Sequence, residues 1–105
     1  MIGIVINLIS TRVSNVKNIN DCLSRYKNLQ IIYICQLNED SFKLLKNEFI
    51  KHNNIYFELA SKKSLSSCKN QGIDFFKKKQ EIDYIWFLDD DCYIDKNIAN
   101  KLCTK

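Results

Sequence analysis

Tyr84-Ile85-Trp86-Phe87-Leu88-Asp89-Asp90-Asp91 joins the most apolar strand-length run of the chain to three consecutive carboxylates. A continuous apolar run of this length suits a strand buried on both faces, as parallel strands are. Adjacent carboxylates repel one another, and at neutral pH they persist where water solvates them or a cation neutralises them. Hard divalent cations take carboxylate oxygens, and Mg²⁺ typically accepts one or two beside substrate phosphates. Alternation along an extended segment puts Asp89 and Asp91 on one side and Asp90 on the other. Asp89 and Asp91 can therefore share one ion. The bland alternative is a solvated acidic loop that caps the next helix. The apolar lead-in favours a site, because ligands of open α/β sheets bind outside the carboxyl ends of strands.

Working back from this run, strand-like and helix-like stretches alternate. Gly3 to Ile9 reads as a first buried strand. Ser14 or Asn15 can cap a helix whose apolar face is Val16, Ile19, Cys22, Leu23 and Tyr26. Gln30 to Gln36 is the second strand. Asp40 or Ser41 caps the next helix, with Phe42, Leu45 and Phe49 inward and Asn53-Asn54 as its stop. Ile55 to Leu59 is the third strand. A helix from Ser64 packs Leu65, Cys68, Gly72, Ile73 and Phe76, and a last helix begins near Asp95. The order β-α-β-α-β-α-β-α requires right-handed crossovers, a mostly parallel sheet and helices on its faces. As the most apolar strand, Tyr84–Leu88 is expected at the centre of that sheet, or covered on its far edge by something beyond residue 105.

The 105 residues support one domain spanning 1–105. With 46% hydrophobic and 27% charged residues the chain is neither a disordered tail nor a bilayer-spanning segment. Met1–Ser10 lacks the basic start and small-residue cleavage site of a secretion signal. The five cysteines (22, 35, 68, 92 and 103) contain no C-x-x-C pair, which points to reduced thiols in the cytosol. The net charge of +4 rests on fourteen Lys against two Arg, a skew of coding composition. It carries no case for nucleic acid, and Lys77-Lys78-Lys79 reads as a solvated helix end.

Two stretches taken together resemble the nucleotide-sugar half of family-2 glycosyltransferases of the GT-A fold. They are Leu65-Ser66-Ser67-Cys68-Lys69-Asn70-Gln71-Gly72-Ile73 and Tyr84 to Asp91. That family carries G-x-S-x-A-R-N-x-G-I, a spacer helix and Y-I-x-F-L-D-D-D, and the likeness spans essentially the whole chain. It implies a Rossmann-like three-layer α/β/α fold and a nucleoside-diphosphate-sugar donor, by family a UDP-sugar. It implies Mn²⁺ or Mg²⁺ held by Asp89 and Asp91, with Asp90 among the donor contacts. Lys69 stands where the family has Arg, Asn70 matches its Asn, and Arg12 matches the basic residue ending its first loop. The acceptor implied is a glycan or a lipid-linked molecule.

Departures carry their own expectations. Where the family's second strand ends in an acid that reads the nucleotide base, this chain has Cys35 or Gln36, depending on register. An amide at Gln36 can still bond a base edge, so relaxed or non-uridine recognition is expected. No catalytic base is visible after Asp91, and His52 reads as a surface residue. The chain therefore reads as a truncated donor-binding piece, inactive alone and prone to self-association through Tyr84–Leu88. Among enzymes the rival is a haloacid-dehalogenase-like phosphotransferase, with Asp89 as nucleophile and Asp91 as acid–base. That superfamily places its motif near the chain start, whereas here three β-α units precede it. A phosphoacceptor receiver needs acids after the first strand, which here ends in Asn7, Ser10 and Thr11. From another class, the chain can be a non-catalytic nucleotide-binding or dimerising α/β module. The expected location is cytoplasmic, with a peripheral position at the membrane left open.

Overall fold

The computed structural model describes residues 1–10, 13–23, 28–49, 54–79 and 81–89, the side chains of Cys22 and Asp89 excepted. In chain order the elements are β1 (Ile2–Ile9), α1 (Asn15–Leu23), β2 (Leu29–Gln36), α2 (Glu39–Glu48), β3 (Ile55–Leu59), α3 (Leu65–Lys77) and β4 (Tyr84–Asp89). The four strands form one all-parallel sheet in the order β3-β2-β1-β4, an α/β arrangement compatible with a Rossmann-like fold. The helix expected near Asp95, Tyr26 and His52 lie outside the described residues.

Side-chain alternation divides the core. Ile4, Ile6 and Leu8 of β1 join Ile31, Tyr33 and Cys35 of β2 under Val16, Ile19 and Leu23 of α1 and Leu45 of α2. Val5, Ile32 and Ile34 point the other way, against Cys68 and Phe76 of α3. Every residue from Leu29 to Cys35 is buried, which accounts for the unbroken apolar run there. Of the two alternatives for β4, the central position is not the one taken among the described strands. β1 and β2 are central, whereas β4 lies beside β1 at one edge of the described sheet, with Tyr84 69%, Trp86 42% and Phe87 42% exposed. Hydrophobicity reports how much of a strand is to be covered, not which strand it pairs with.

The chain's two glycines both lie where α3 meets β1. A Cβ on Gly72 would fall 2.4 Å from Val5 Cγ1 and 2.7 Å from Cγ2, and one on Gly3 2.7 Å from the edge of the Phe76 ring. Neither glycine has positive φ. Their use here is close approach, since a missing Cβ lets the helix backbone settle onto the strand.

The caps of α2 and α3 are side-chain oxygens, one of them shifted from its expected position. Ser64 caps α3, its Oγ accepting from Ser67 N–H at 3.2 Å. For α2 the cap is Asn38, not Asp40 or Ser41: its Oδ1 accepts from Ser41 N–H at 2.8 Å. Glu39 and Asp40 then occupy the first turn, where the helix dipole favours carboxylates. α2 closes at Phe49, short of the expected Asn53-Asn54 stop. Leu65 is 52% exposed instead of packed, because it opens α3 and overhangs the sheet's carboxyl end. Of the expected solvated trio, Lys77 and Lys78 are exposed, but Lys79 is half-buried, its Nζ 4.6 Å from the centroid of Tyr56 and 5.3 Å from that of Phe75.

Two buried groups link this core to pH. Burial pushes the Cys35 thiol up from 9.0 to about 12. Burial, with a smaller contribution from Cys35, raises Tyr33 well above 10.0. Both groups are neutral when protonated, so the folded state favours the protonated forms. Their contribution is complete below pH 9 and is lost as pH climbs from 9 towards 12 for Cys35, with Tyr33 adding loss above 10. Thermal melts from pH 7 to 11 should show a constant Tm up to about pH 9 and a steepening fall beyond it. Cys35→Ala should delay the onset to about pH 10.

Candidate functional site

The sheet's carboxyl edge collects the polar residues of otherwise apolar strands. Asn7 is the polar residue of β1, and its Cα partner across the β1–β4 ladder is Asp89. The chain runs from β1 outward through β2 to β3, then returns by α3 to the other side of β1. The β1–β4 boundary is thus where strand order turns back, and at such a switch point the flanking connections leave on opposite faces and open a crevice.

Gln36 ends β2, on the same face as Asn7. Its Nε2 donates to Asn7 Oδ1 at 3.1 Å and to Cys68 Sγ at 3.5 Å. The Cys68 thiol is buried and donates in turn to the Lys62 carbonyl at 3.5 Å. These contacts tie the end of the sheet to the first turn of α3. With both N–H groups engaged, the Gln36 amide has a fixed orientation and keeps its carbonyl oxygen as an acceptor. Of the two register alternatives at this position, Cys35 lies buried on the opposite face within the α1–α2 core, and Gln36 faces the edge.

Two of the clefts at this edge take in the residues named above. One of about 260 Å³ lies over the switch point, lined by Val5, Asn7, Leu65, Lys69, Phe87 and Leu88. The Lys69 ammonium stands 5.3 Å from the Phe87 ring centroid, a cation–π distance that holds the charge over the cleft wall. The second, of about 400 Å³, is lined by Ser10, Cys35, Gln36, Leu37, Asn38, Ala60 and Lys63.

Of the residues expected from sequence, Gln36, Lys69 and the backbone of Asp89 come to this edge. Asn70 is exposed on α3 and lines neither cleft. Arg12, Asp90 and Asp91 lie outside the described residues, and among those described no group of three or more His, Cys, Asp or Glu side chains is placed to hold a metal. Asn7 and Lys63 join this edge in addition to the residues expected from sequence. Asn7 had a signal, as the polar residue interrupting the Gly3–Ile9 run, whereas Lys63 had none to separate it from other lysines. No described helix is long and apolar enough to cross a membrane. No protein-family model, curated protein or solved structure matches the chain.

Proposed function

We propose that this chain is the donor-binding part of a glycosyltransferase of the family-2 type, taking a nucleoside-diphosphate sugar and a divalent cation at the carboxyl ends of β1 and β4. The observation that carries the reading is the register Asn7↔Asp89: it sets the head of the Asp89–Asp91 run at the switch point, beside a cleft walled by Lys69. The donor set suits the ion. Carboxylate oxygens from Asp89 and Asp91 are hard ligands that fit Mg²⁺ or Mn²⁺, with diphosphate oxygens completing the shell. Such an ion, when bound, offsets charge on the departing diphosphate.

The chain's own residues supply the remaining contacts. Lys69 offers an ammonium to a phosphate oxygen. Gln36, held by Asn7 and Cys68, offers a neutral acceptor to a base N–H. A neutral acceptor forms a weaker hydrogen bond than a carboxylate does, which supports relaxed base preference. Arg12, Asn70 and Asp90 are the further donor contacts in this reading. A helix from Asp95 completes its three-layer, Rossmann-like order, and the acceptor is a glycan or lipid-linked molecule.

Calorimetric titration tests the proposal. Mn²⁺ and UDP should each raise the other's affinity by about tenfold or more, within the usual range of coupling between ligands. GDP, CDP and dTDP should fall within about tenfold of UDP, since one neutral hydrogen bond contributes only about 1 kcal/mol. Absence of binding by every nucleoside diphosphate, with and without Mn²⁺ or Mg²⁺, would overturn it.

A further inference from the structure

Among the described residues, β3 is the edge of the sheet opposite β4, with no strand beyond it. Ile31 N–H donates to the Asn54 carbonyl at 2.8 Å, and Ala60 N–H donates to the Cys35 carbonyl at 2.9 Å. In a parallel ladder a residue's N–H and C=O point to the same side, and the side alternates along the strand. Asn54, Tyr56, Glu58 and Ala60 therefore face β2, and Ile55, Phe57 and Leu59 direct their backbone groups outward. The Leu59 carbonyl also accepts from Gln71 Nε2 at 2.9 Å, and its second lone pair remains for a further donor. A cleft of about 340 Å³ runs along this edge, with Phe49 and Phe75 among its walls.

We propose that β3 pairs edge to edge, antiparallel, with β3 of a second copy of this chain, joining two four-stranded sheets into one. A twofold axis at Phe57 sets Ile55 opposite Leu59 of the other copy and Phe57 opposite its own equivalent. These are the residues whose backbone groups point outward, so the register uses the whole edge. Tyr56 then faces Glu58 of the other copy. The Lys79 ammonium lies 3.5 Å from the Tyr56 hydroxyl, which brings each Lys79 to the opposing Glu58 and forms two symmetric ion pairs. Leu59, 36% exposed in one chain, becomes covered.

The same operation on β4 offers no such charge complement. Antiparallel pairing about Trp86 sets Asp83, whose carboxylate is held by the Met1 ammonium at 2.7 Å, opposite Asp89 twice over. This inference stands on the β3 edge alone and is independent of the donor-site reading.

Sedimentation equilibrium of the full chain tests it. The wild type should dimerise with concentration while the emission of Trp86, the single tryptophan and a residue of β4, stays unchanged. Glu58→Lys and Lys79→Glu should each weaken the dimer by about tenfold or more, because each turns both ion pairs into like-charge contacts. An equimolar mixture of these two variants should restore a dimer, since every opposed pair is again complementary. Leu59→Pro removes an outward N–H and leaves the β2 ladder intact, so it should give a folded monomer by circular dichroism. A wild type that stays monomeric at its highest soluble concentration would overturn the proposal. So would a dimer that shifts Trp86 emission and survives all three substitutions.

Discussion

Gly72→Ala should lower the stability of the fold by about 2–3 kcal/mol and its Tm by roughly 10–20 °C, using the usual cost of overpacking and the Tm sensitivity of a domain this size. The added methyl meets both γ-methyls of Val5, at 2.4 and 2.7 Å, and the Val5 Cβ at 3.1 Å. Rotating Val5 about χ1 relieves only part of the clash, because any rotamer leaves a methyl in at least one of the two facing positions and Cβ does not move. Val5 is itself 2% exposed, on a strand held between β2 and β4. The helix must lift instead, against a gain of only about 1 kcal/mol from alanine's better helix propensity. Val5→Ala should rescue part of the loss, so a double-mutant cycle by denaturant unfolding should give a favourable coupling of about 1 kcal/mol or more. Strictly additive losses would mean that the two residues do not limit each other. Lifting α3 would also pull Cys68 from Gln36, so this variant should lose the edge's order along with stability.

Asp91→Ala should abolish the cation-dependent component of nucleoside-diphosphate binding, so that affinity measured with Mn²⁺ falls by about tenfold or more, to its metal-free value. Substituting even an outer partner of a metal ligand commonly costs about 10–100-fold, and a direct ligand should cost no less. Without metal, the variant should bind UDP as the wild type does, because only the shared ion is lost. Equal binding by variant and wild type in Mn²⁺ would remove Asp91 from the site. Lys69→Ala makes a useful contrast. It should weaken diphosphate binding with or without the ion, since its ammonium acts on the phosphates directly.

How much of this was readable in the sequence differs by level. Element type and boundaries were legible wherever local chemistry decides them: β3 at Ile55–Leu59 and α3 behind Ser64 stand as the pattern predicts. The α2 cap was less so, because Asn38, Asp40 and Ser41 are all competent and only the backbone selects among them. Strand order was not legible. The apolar character of Tyr84–Leu88 suggested a central strand, yet pairing is set by where α3 delivers the chain, and the close approach at Gly72 is a contact in space. The edge residue Gln36 was found from its position after β2. The choice between Cys35 and Gln36 needed the pleat, since one step along a strand reverses the face. Asn7 was visible in the sequence, but its meaning depends on Asp89 lying beside it, and that pairing joins opposite ends of the described chain.

That pairing also dictates an order of assembly. β1 takes one neighbour early, from β2, and waits for the other until a strand that starts at Tyr84 arrives. Contacts so distant along the chain close late, after most of the loop entropy has been lost. During synthesis the β1–β2–β3 unit can gather around Tyr33 while the far side of β1 stays an open template, the interval in which a strand from another molecule competes for the same place. Substitutions in β4 should then act mainly on the unfolding rate and those in β2 on the folding rate. Of the four described strands, β4 joins last in this order, and it is the one that brings Asp89, the head of the acidic run, to the sheet.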